Sequence, residues 1–325
     1  MAERAAASGR PRMRAVTQEE AGGPQVLRMA ELDRPVPAPT EILVRVHAAS
    51  INPTDWKTRQ RGAFATGEAP PFVLGFDVSG AVEAVGPGVT LFSPGDEVFG
   101  MPRFPHPAGA YAEYVAAPAR HFATKPANAD HLHSAALPLA GLTAWQALAD
   151  TADVRAGDRV LIHAAAGGVG HLAVQIAKAR GAYVIGTARA AKHPFLRDLG
   201  ADELVDYTEQ DFAEVVRDAD VVLDTIGGDY VTRSFRTLRR GGRLVSIIPP
   251  GDTFPVEEAH EAGVEAAFML VEPDRAGLRA LARLVETGQL RVNVDTVLPL
   301  EEAAKAHELG ETGRTTGKIV LSVAP

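Results

Sequence analysis

Three glycines and two cations carry the first chemistry in this chain. Gly167, Gly168 and Gly170 stand with Ala164 in the run RVLIHAAAGGVGHLAVQIAKARGAYVIG, residues 159–186. Val160, Leu161 and Ile162 before them read as a short apolar strand. Val169, Leu172, Ala173, Ile176 and Ala177 recur at helical spacing and mark one buried face. A helix opening from such a turn presents free N–H groups and its positive dipole end, which suits a diphosphate. Without side chains the phosphate can approach the backbone and the helix can pack close to the strand. A glycine triplet alone also fits a plain tight turn. Strand, helix and second strand in order favour a dinucleotide.

The second signal lies at the ribose end. A site that prefers NAD carries an acid about 20 residues beyond the glycines. Here that count reaches Thr187, Ala188 and Arg189, and the next carboxylate is Asp198, inside a helical segment. Arg189 and Lys192 occupy the place of a 2′-phosphate, and cations suit that dianion. Both also read as ordinary surface charges. The missing acid favours NADP(H) over NAD.

Metal and thiol chemistry are poorly supplied. There is no cysteine, which removes disulfides, thiol nucleophiles and thiolate zinc sites together. His131 and His133 alternate at a chelating spacing but fall in a loop before a helix, short of the three or four ligands a metal needs. His106, in MPRFPHPAG, is able to donate a proton near neutrality or to sit on the surface. His171 is expected to face solvent, and Asp224, before TIGG, to be structural.

The elements that must position these residues change character along the chain. Up to about residue 135, short strands at 41–51, 77–86 and 109–118 are separated by PVPAP, GEAPP and SPGDE turns. Such spacing predicts a compact β-rich unit. Beyond it, helices and strands alternate. Helices are expected at 138–150, 168–180, 194–199, 210–218 and 230–239, with strands at 160–163, 183–186, 204–207, 221–224 and 243–248. That repeat predicts a doubly wound parallel α/β sheet of the Rossmann type. A tail follows with helices at 275–287 and 301–309 and a closing strand at 318–323.

Composition sets the outer bounds. A chain of 325 residues has room for two domains. Its 46% hydrophobic and 23% charged residues are those of a soluble globular protein. A net charge of −8 argues against a nucleic-acid partner. No apolar run reaches the roughly 18 residues of a membrane span. The N-terminal MAERAAASGRPR lacks the hydrophobic stretch of a signal peptide, so the cytoplasm is the expected location.

From Met13 to Leu321 the chain resembles the zinc-independent branch of the medium-chain dehydrogenase/reductase superfamily, the quinone oxidoreductases of the zeta-crystallin type. The resemblance is carried by AASINPTDWK, LGFDVSGAVEAVGPGV, GDEVFG, GAYAEYV and ALPLAGLTAWQAL. It continues through AAAGGVG, LGADELVDY, VVLDTIGG, GGRLVSI and PLEEAAKAHELGETGRTTGKIVL. It implies a tail over 1–12, a GroES-like catalytic domain over 13–135 and 272–325, and an inserted Rossmann nucleotide-binding domain over 136–271. Asn52, Phe76 and Asp77 match positions where zinc-using relatives hold their metal, and they do not form the usual ligand set. The family places Asn52 near the nicotinamide ribose and substrate; it also suits a turn asparagine before Pro53. Matching positions imply cofactor contacts at Thr143, Gly167, Gly168, Val169, Lys192, Tyr207, Ile247, Ile248 and Phe268. Tyr207 is expected to close a strand beside the adenosine phosphate, and Lys318 to reach the cofactor or face solvent.

The expected activity is NADPH-dependent, zinc-free hydride transfer to a small-molecule quinone or α,β-unsaturated carbonyl. The alternatives are an enoyl-thioester reductase and a non-catalytic NADPH-binding protein. A homodimer is expected through an unpaired edge strand near 264–270.

Overall fold

Residues 11–62, 67, 69–251 and 254–323 are described by a computed structural model of the chain. The first ten residues of the expected tail lie outside them, and Arg12 already opens a strand. The segments 60–70, 101–109 and 249–262 read from the sequence as loops that shape a substrate pocket, and of these, residues 63–66, 68 and 252–253 also lie outside the described residues.

The N-terminal half is built on short strands. They are β1 (Arg12–Gln18), β2 (Arg28–Asp33), β3 (Glu41–Ser50), β4 (Phe72–Val73), β5 (Val78–Val85), β6 (Glu97–Gly100), β7 (Tyr114–Pro118) and β8 (Phe122–Thr124), with helix α1 (Pro53–Arg61) after β3. β1 pairs with β2 and β4 in a three-stranded antiparallel sheet. β3 is the spine of a larger sheet, where it pairs with β5 and β7. Its Ile42, Val44 and Val46 alternate into one core with Val78, Val82, Val98, Val115 and Phe122, the period expected of a half-covered strand.

Helices α2 (His131–Ala135) and α3 (Pro138–Trp145) lead out of this unit, and the chain continues past α3 in a wider helical turn to Thr151. Six strands follow: β9 (Arg159–Ile162), β10 (Tyr183–Thr187), β11 (Glu203–Val205), β12 (Ala219–Asp224), β13 (Leu238–Ser246) and β14 (Glu265–Phe268). Between them run α4 (Gly170–Ala179), α5 (His193–Asp198), α6 (Phe212–Val215), α7 (Asp229–Phe235) and α8 (Val256–Ala262). All six strands are parallel in the order β11-β10-β9-β12-β13-β14. Val160 and Ile162 face one core with Leu172, Ala173 and Ile176, while Leu161 faces another with Ile185, Val222 and Leu244. A parallel sheet covered on both faces needs apolar residues at consecutive positions, as this run has.

The tail returns to the first unit. α9 (Arg275–Glu286) buries Leu278 and Leu281 in the core that contains α3. β15 (Val294–Pro299), α10 (Ala303–Glu311) and β16 (Lys318–Ser322) then complete a seven-stranded sheet, with β16 antiparallel to β3.

Several boundaries differ from expectation for local reasons. α6 is a single turn, because Val216 already takes an extended backbone at ψ 134°, and Asp218 at φ +55° then turns the chain into β12. α7 stops at Phe235 and β13 starts at Leu238, since Leu238 pairs with Ala219 before the register shifts. Ile247 and Ile248 therefore lie beyond β13, and Tyr207 lies two residues beyond β11. His131 and His133 lie in α2, not in a loop, and the expected loop over 249–262 contains α8.

Candidate active site

The strand order reverses at β9, whose neighbours are β10 and β12. In such sheets ligands bind at this switch point, beyond the carboxyl ends of the strands. Gly167 follows β9, Arg189 β10, Tyr207 β11 and Ile247 β13, while Phe268 ends β14. The topology thus brings these expected contacts to one edge.

At the glycine turn, Ala164 takes φ +45° and Gly167 N–H bonds back to its carbonyl at 2.9 Å. A Cβ on Gly170 would run into the Ala164 carbonyl and come within 2.7 Å of Ala165 Cα. Among the described residues, the N–H groups of Gly168 and Val169 have no hydrogen-bond partner. Two free donors in front of α4, in a turn that admits no Cβ at Gly170, fit a diphosphate.

At the ribose end, Arg189 Nε donates to the Tyr207 hydroxyl at 3.0 Å. This leaves both guanidinium Nη groups free among the described residues. Asp206, whose charge acts on Arg189, is occupied by the N–H groups of Ala190 and Thr208 and by the Thr208 hydroxyl. Lys192 does not point freely outward. Its ammonium donates to Thr316 Oγ1 and to the Arg314 carbonyl. Gly317 N–H reaches the Ala166 carbonyl at 3.0 Å, and Asn293 Nδ2 holds the Thr316 carbonyl at 2.7 Å. Residues 314–318 therefore latch the tail onto the nucleotide side.

His171 is a correction to the sequence reading. It is fully buried, with Nδ1 against the Gly167 carbonyl at 2.9 Å and Nε2 accepting the Asn293 N–H at 3.2 Å. An imidazole that donates at one nitrogen and accepts at the other is neutral, and burial pushes its pKa down to about 4.

Against the glycine turn lies a buried polar knot centred on Asn52. Pro53 opens α1, and Asp55 Oδ2 accepts the Asn52 backbone N–H at 2.7 Å, one half of a capping box. The Asn52 side chain turns elsewhere. Nδ2 donates to Asp77 Oδ2 at 2.7 Å, and Oδ1 accepts from Lys318 Nζ. A carboxylate only accepts and an ammonium only donates, so these partners fix the amide orientation. One Nδ2 hydrogen remains to be given.

Asp77 is itself saturated, by Ser50 Oγ at 2.6 Å and by the Leu139 N–H in the first turn of α3 at 2.7 Å. Lys318 also donates to the Ile51 carbonyl at 2.9 Å and lies 3.7 Å from Asp77. It is 3% exposed, so it does not face solvent. Burial pushes its pKa below the ordinary lysine value, against the pull of Asp77 and Asp55. A Cβ on Gly168 would sit 3.2 Å from Lys318 Cδ, so the lysine stem lies directly against the glycine turn. Thr143 is buried in α3, its hydroxyl returned to the Leu139 carbonyl at 2.7 Å.

The residues at the expected metal positions do not fit a metal. Phe76 is buried edge-on to Phe104, Asn52 is committed on both sides, and an ammonium already faces Asp77. His131 bonds Ser79 and Glu97 while His133 bonds Asp130, so the two diverge. Among the described residues, no group of three or more His, Asp or Glu is placed to hold a metal ion. Asp224 is structural as expected, capping Ile226 and Gly227 N–H and bonded by Ser246 Oγ. Ile248 packs over Gly227, which takes φ +79°. Among the described residues, no helix is long and apolar enough to cross a membrane.

Comparison with known proteins agrees with this construction. Residues 38–127 match the alcohol dehydrogenase GroES-like domain family, and residues 199–321 the family described as zinc-binding dehydrogenase. The chain is 36% identical to a 2-haloacrylate reductase of Burkholderia sp, over 92% of this chain and 96% of that one. It superposes on the quinone oxidoreductase of Coxiella burnetii with a TM-score of 0.91 at 39% identity, covering 97% of this chain and all of that one. A mycobacterial protein solved in complex with NADPH superposes with a TM-score of 0.85 at 32% identity, covering 96% of this chain and 100% of that one.

Proposed function

The chain belongs to the quinone oxidoreductase family of medium-chain dehydrogenases/reductases, and from that premise we propose an NADPH-dependent reductase that delivers hydride to a quinone or an α,β-unsaturated carbonyl without zinc. Membership makes it an oxidoreductase that binds a nicotinamide dinucleotide. The finer reading rests on one observation: Lys318 and Asp77 clamp the Asn52 amide from opposite sides and leave one N–H to give.

Bound NADPH would supply the hydride. The chain's part is to hold it and to receive charge. Gly168 and Val169 N–H take the diphosphate, and the free Nη groups of Arg189 take the 2′-phosphate. The remaining Asn52 N–H donates to the acceptor's carbonyl oxygen as negative charge gathers there, a preorganised donor in a dry site. A conjugated acceptor spreads that charge itself, so one donor suffices where an isolated ketone would need a Lewis acid. The 2-haloacrylate reductase and quinone oxidoreductase relatives fit an electron-poor acceptor.

The test is steady-state turnover after chelation and dialysis, with NADPH and NADH, against quinones, enones and simple ketones. Reduction of quinones or enones with NADPH preferred is the expected result. Activity that is lost on chelation and restored by zinc, or turnover of simple ketones alone, would refute the reading. β14 forms one edge of the parallel sheet. We take that edge as the contact of a homodimer, and the cytoplasm as the location.

A further inference from the structure

Among the described residues, the buried carboxyl of Asp55 forms no ion pair. Asp55 is fully buried beneath Asn52 in the first turn of α1. The cations around it are committed elsewhere, Lys318 facing Asp77 at 3.7 Å and Arg59 bonding Glu311 at 2.9 Å. Asp55 Oδ2 accepts the Asn52 N–H, while Oδ1 has no aligned partner.

A chain of donors runs in toward that oxygen from α10. Arg59 can only donate, so its 2.9 Å contact with His307 Nδ1 fixes the tautomer that carries its proton on Nε2. His307 Nε2–H then donates to the Tyr111 hydroxyl oxygen at 3.2 Å, and the Tyr111 O–H is left to turn to Asp55. Burial pushes Asp55 up to about 7; the Asn52 N–H opposes this, Asp77 adds to it, and Lys318 and Tyr111 oppose it. Burial holds the Tyr111 hydroxyl well above its usual value, with Asp55 and Asp77 adding to the rise. Burial and then Arg59 hold His307 down to about 3. Tyr111 and His307 therefore stay neutral where Asp55 titrates. The titratable and charged groups that face Asp55 are Asp77, Lys318 and Tyr111, with His307, Arg59 and Glu311 behind the tyrosine.

We propose that Asp55 is a positioning residue whose charged form holds the Asn52 backbone, and with it the amide that meets the substrate, so that one buried proton gates the reaction. This rests on the reading of Asn52 as the substrate-facing donor. Protonation replaces a charge-assisted acceptor by a weaker neutral one and relaxes the start of α1.

The experiment is the pH profile of kcat for wild type, Asp55→Asn and Tyr111→Phe, beside the infrared difference spectrum of each between about pH 6 and pH 8. Wild type should lose about tenfold in kcat per pH unit below an acid limb near neutrality. Asp55→Asn keeps a neutral acceptor for the Asn52 N–H and should abolish that limb. Tyr111→Phe removes a donor to the carboxylate and should move the limb to higher pH. The protonated-carboxyl band should be present in wild type at the lower pH, vanish at the higher, and be missing from Asp55→Asn. A limb or band unchanged by Asp55→Asn would overturn the proposal. An Asn52→Ala enzyme with intact kcat would instead refute the underlying reading, a failure the infrared band distinguishes because it needs no substrate.

Discussion

Replacing Lys318 by Met keeps the length of its stem and deletes only the ammonium. Nζ lies 3.7 Å from Asp77 Oδ2, and neither side chain is more than 3% exposed. At an effective dielectric of about 20, that separation corresponds to roughly 4.5 kcal/mol of attraction. Three neutral donors, from Ser50, Asn52 and Leu139, still face the Asp77 carboxylate. The expected loss is therefore about 3–5 kcal/mol, the range for breaking one side of a buried pair. Asp77→Asn alone should cost a comparable amount, because it strands the ammonium. The double variant strands no charge, and should cost less than the sum by at least about 2 kcal/mol. The assay is urea unfolding at neutral pH, with unchanged slopes taken as the sign of unchanged unfolding. Single effects that add within about 0.5 kcal/mol would refute the claim that the two charges act as one unit. Lys318→Met should also lower kcat more than it raises KM, because the freed Asn52 amide no longer has a fixed donor.

Arg189→Ala should weaken NADPH about tenfold and leave NADH nearly unchanged in a fluorescence titration, the loss of one charge-assisted contact. Lys192→Ala should weaken both cofactors, since that lysine also latches residues 314–316; selective loss of NADPH would count against the latch. Gly170→Ala should destabilise the apoprotein by about 3 kcal/mol, because backbone blocks the new methyl. Gly228→Ala, with nothing within 4 Å but φ +62°, should cost only about 1 kcal/mol, and equal losses in urea melts would contradict the packing argument. His163, His171 and His307 are held down to about 4, 4 and 3 by burial. Folded-state values below the unfolded one mean that the unfolded chain binds more protons, so this stability is complete above about pH 6.5 and drains away as acid is added. Asp55, raised in the fold, acts with the opposite sign. Its loss of stability accrues as pH rises from about 4 to 7, and urea midpoints with and without Asp55→Asn separate the two. Light scattering should give twice 34.3 kDa; a monomer would exclude pairing through β14.

What the sequence made legible was what backbone dictates. The strand–glycine–helix run predicted β9, the turn and α4 because glycine spacing and apolar period are local properties. The edge position of β14 followed from the parallel order. The polar knot was only half visible. Asn52 was singled out, and the N-x-x-D spacing of Asn52 and Asp55 is a capping signal that points to α1. Nothing local announces that Lys318, 266 residues away, would donate to Asn52, or that His307 would stack its proton behind Tyr111. His171 was misplaced for the same reason. Its helix face was judged from its own neighbours, yet Asn293, 122 residues on, closes over it. Val216, Arg217 and Asp218 carried no glycine or proline to show that α6 would stop after one turn at Val215.

The clamp on Asn52 bears on how such a fold exchanges one chemistry for another. Installing a thiolate at residue 52 and an imidazole at residue 76 would put soft and borderline ligands beside Asp77, yet the buried ammonium of residue 318 would still repel a divalent ion from the same few ångströms. The lysine would have to be neutralised first, and that change alone strands Asp77. Each single step between the two designs therefore passes through a chain less stable than either end, so a metal-dependent and a metal-free site are separated by a barrier of stability rather than by a shortage of suitable side chains. The obstacle lies on the last strand, far along the chain from the residues that would bind the ion.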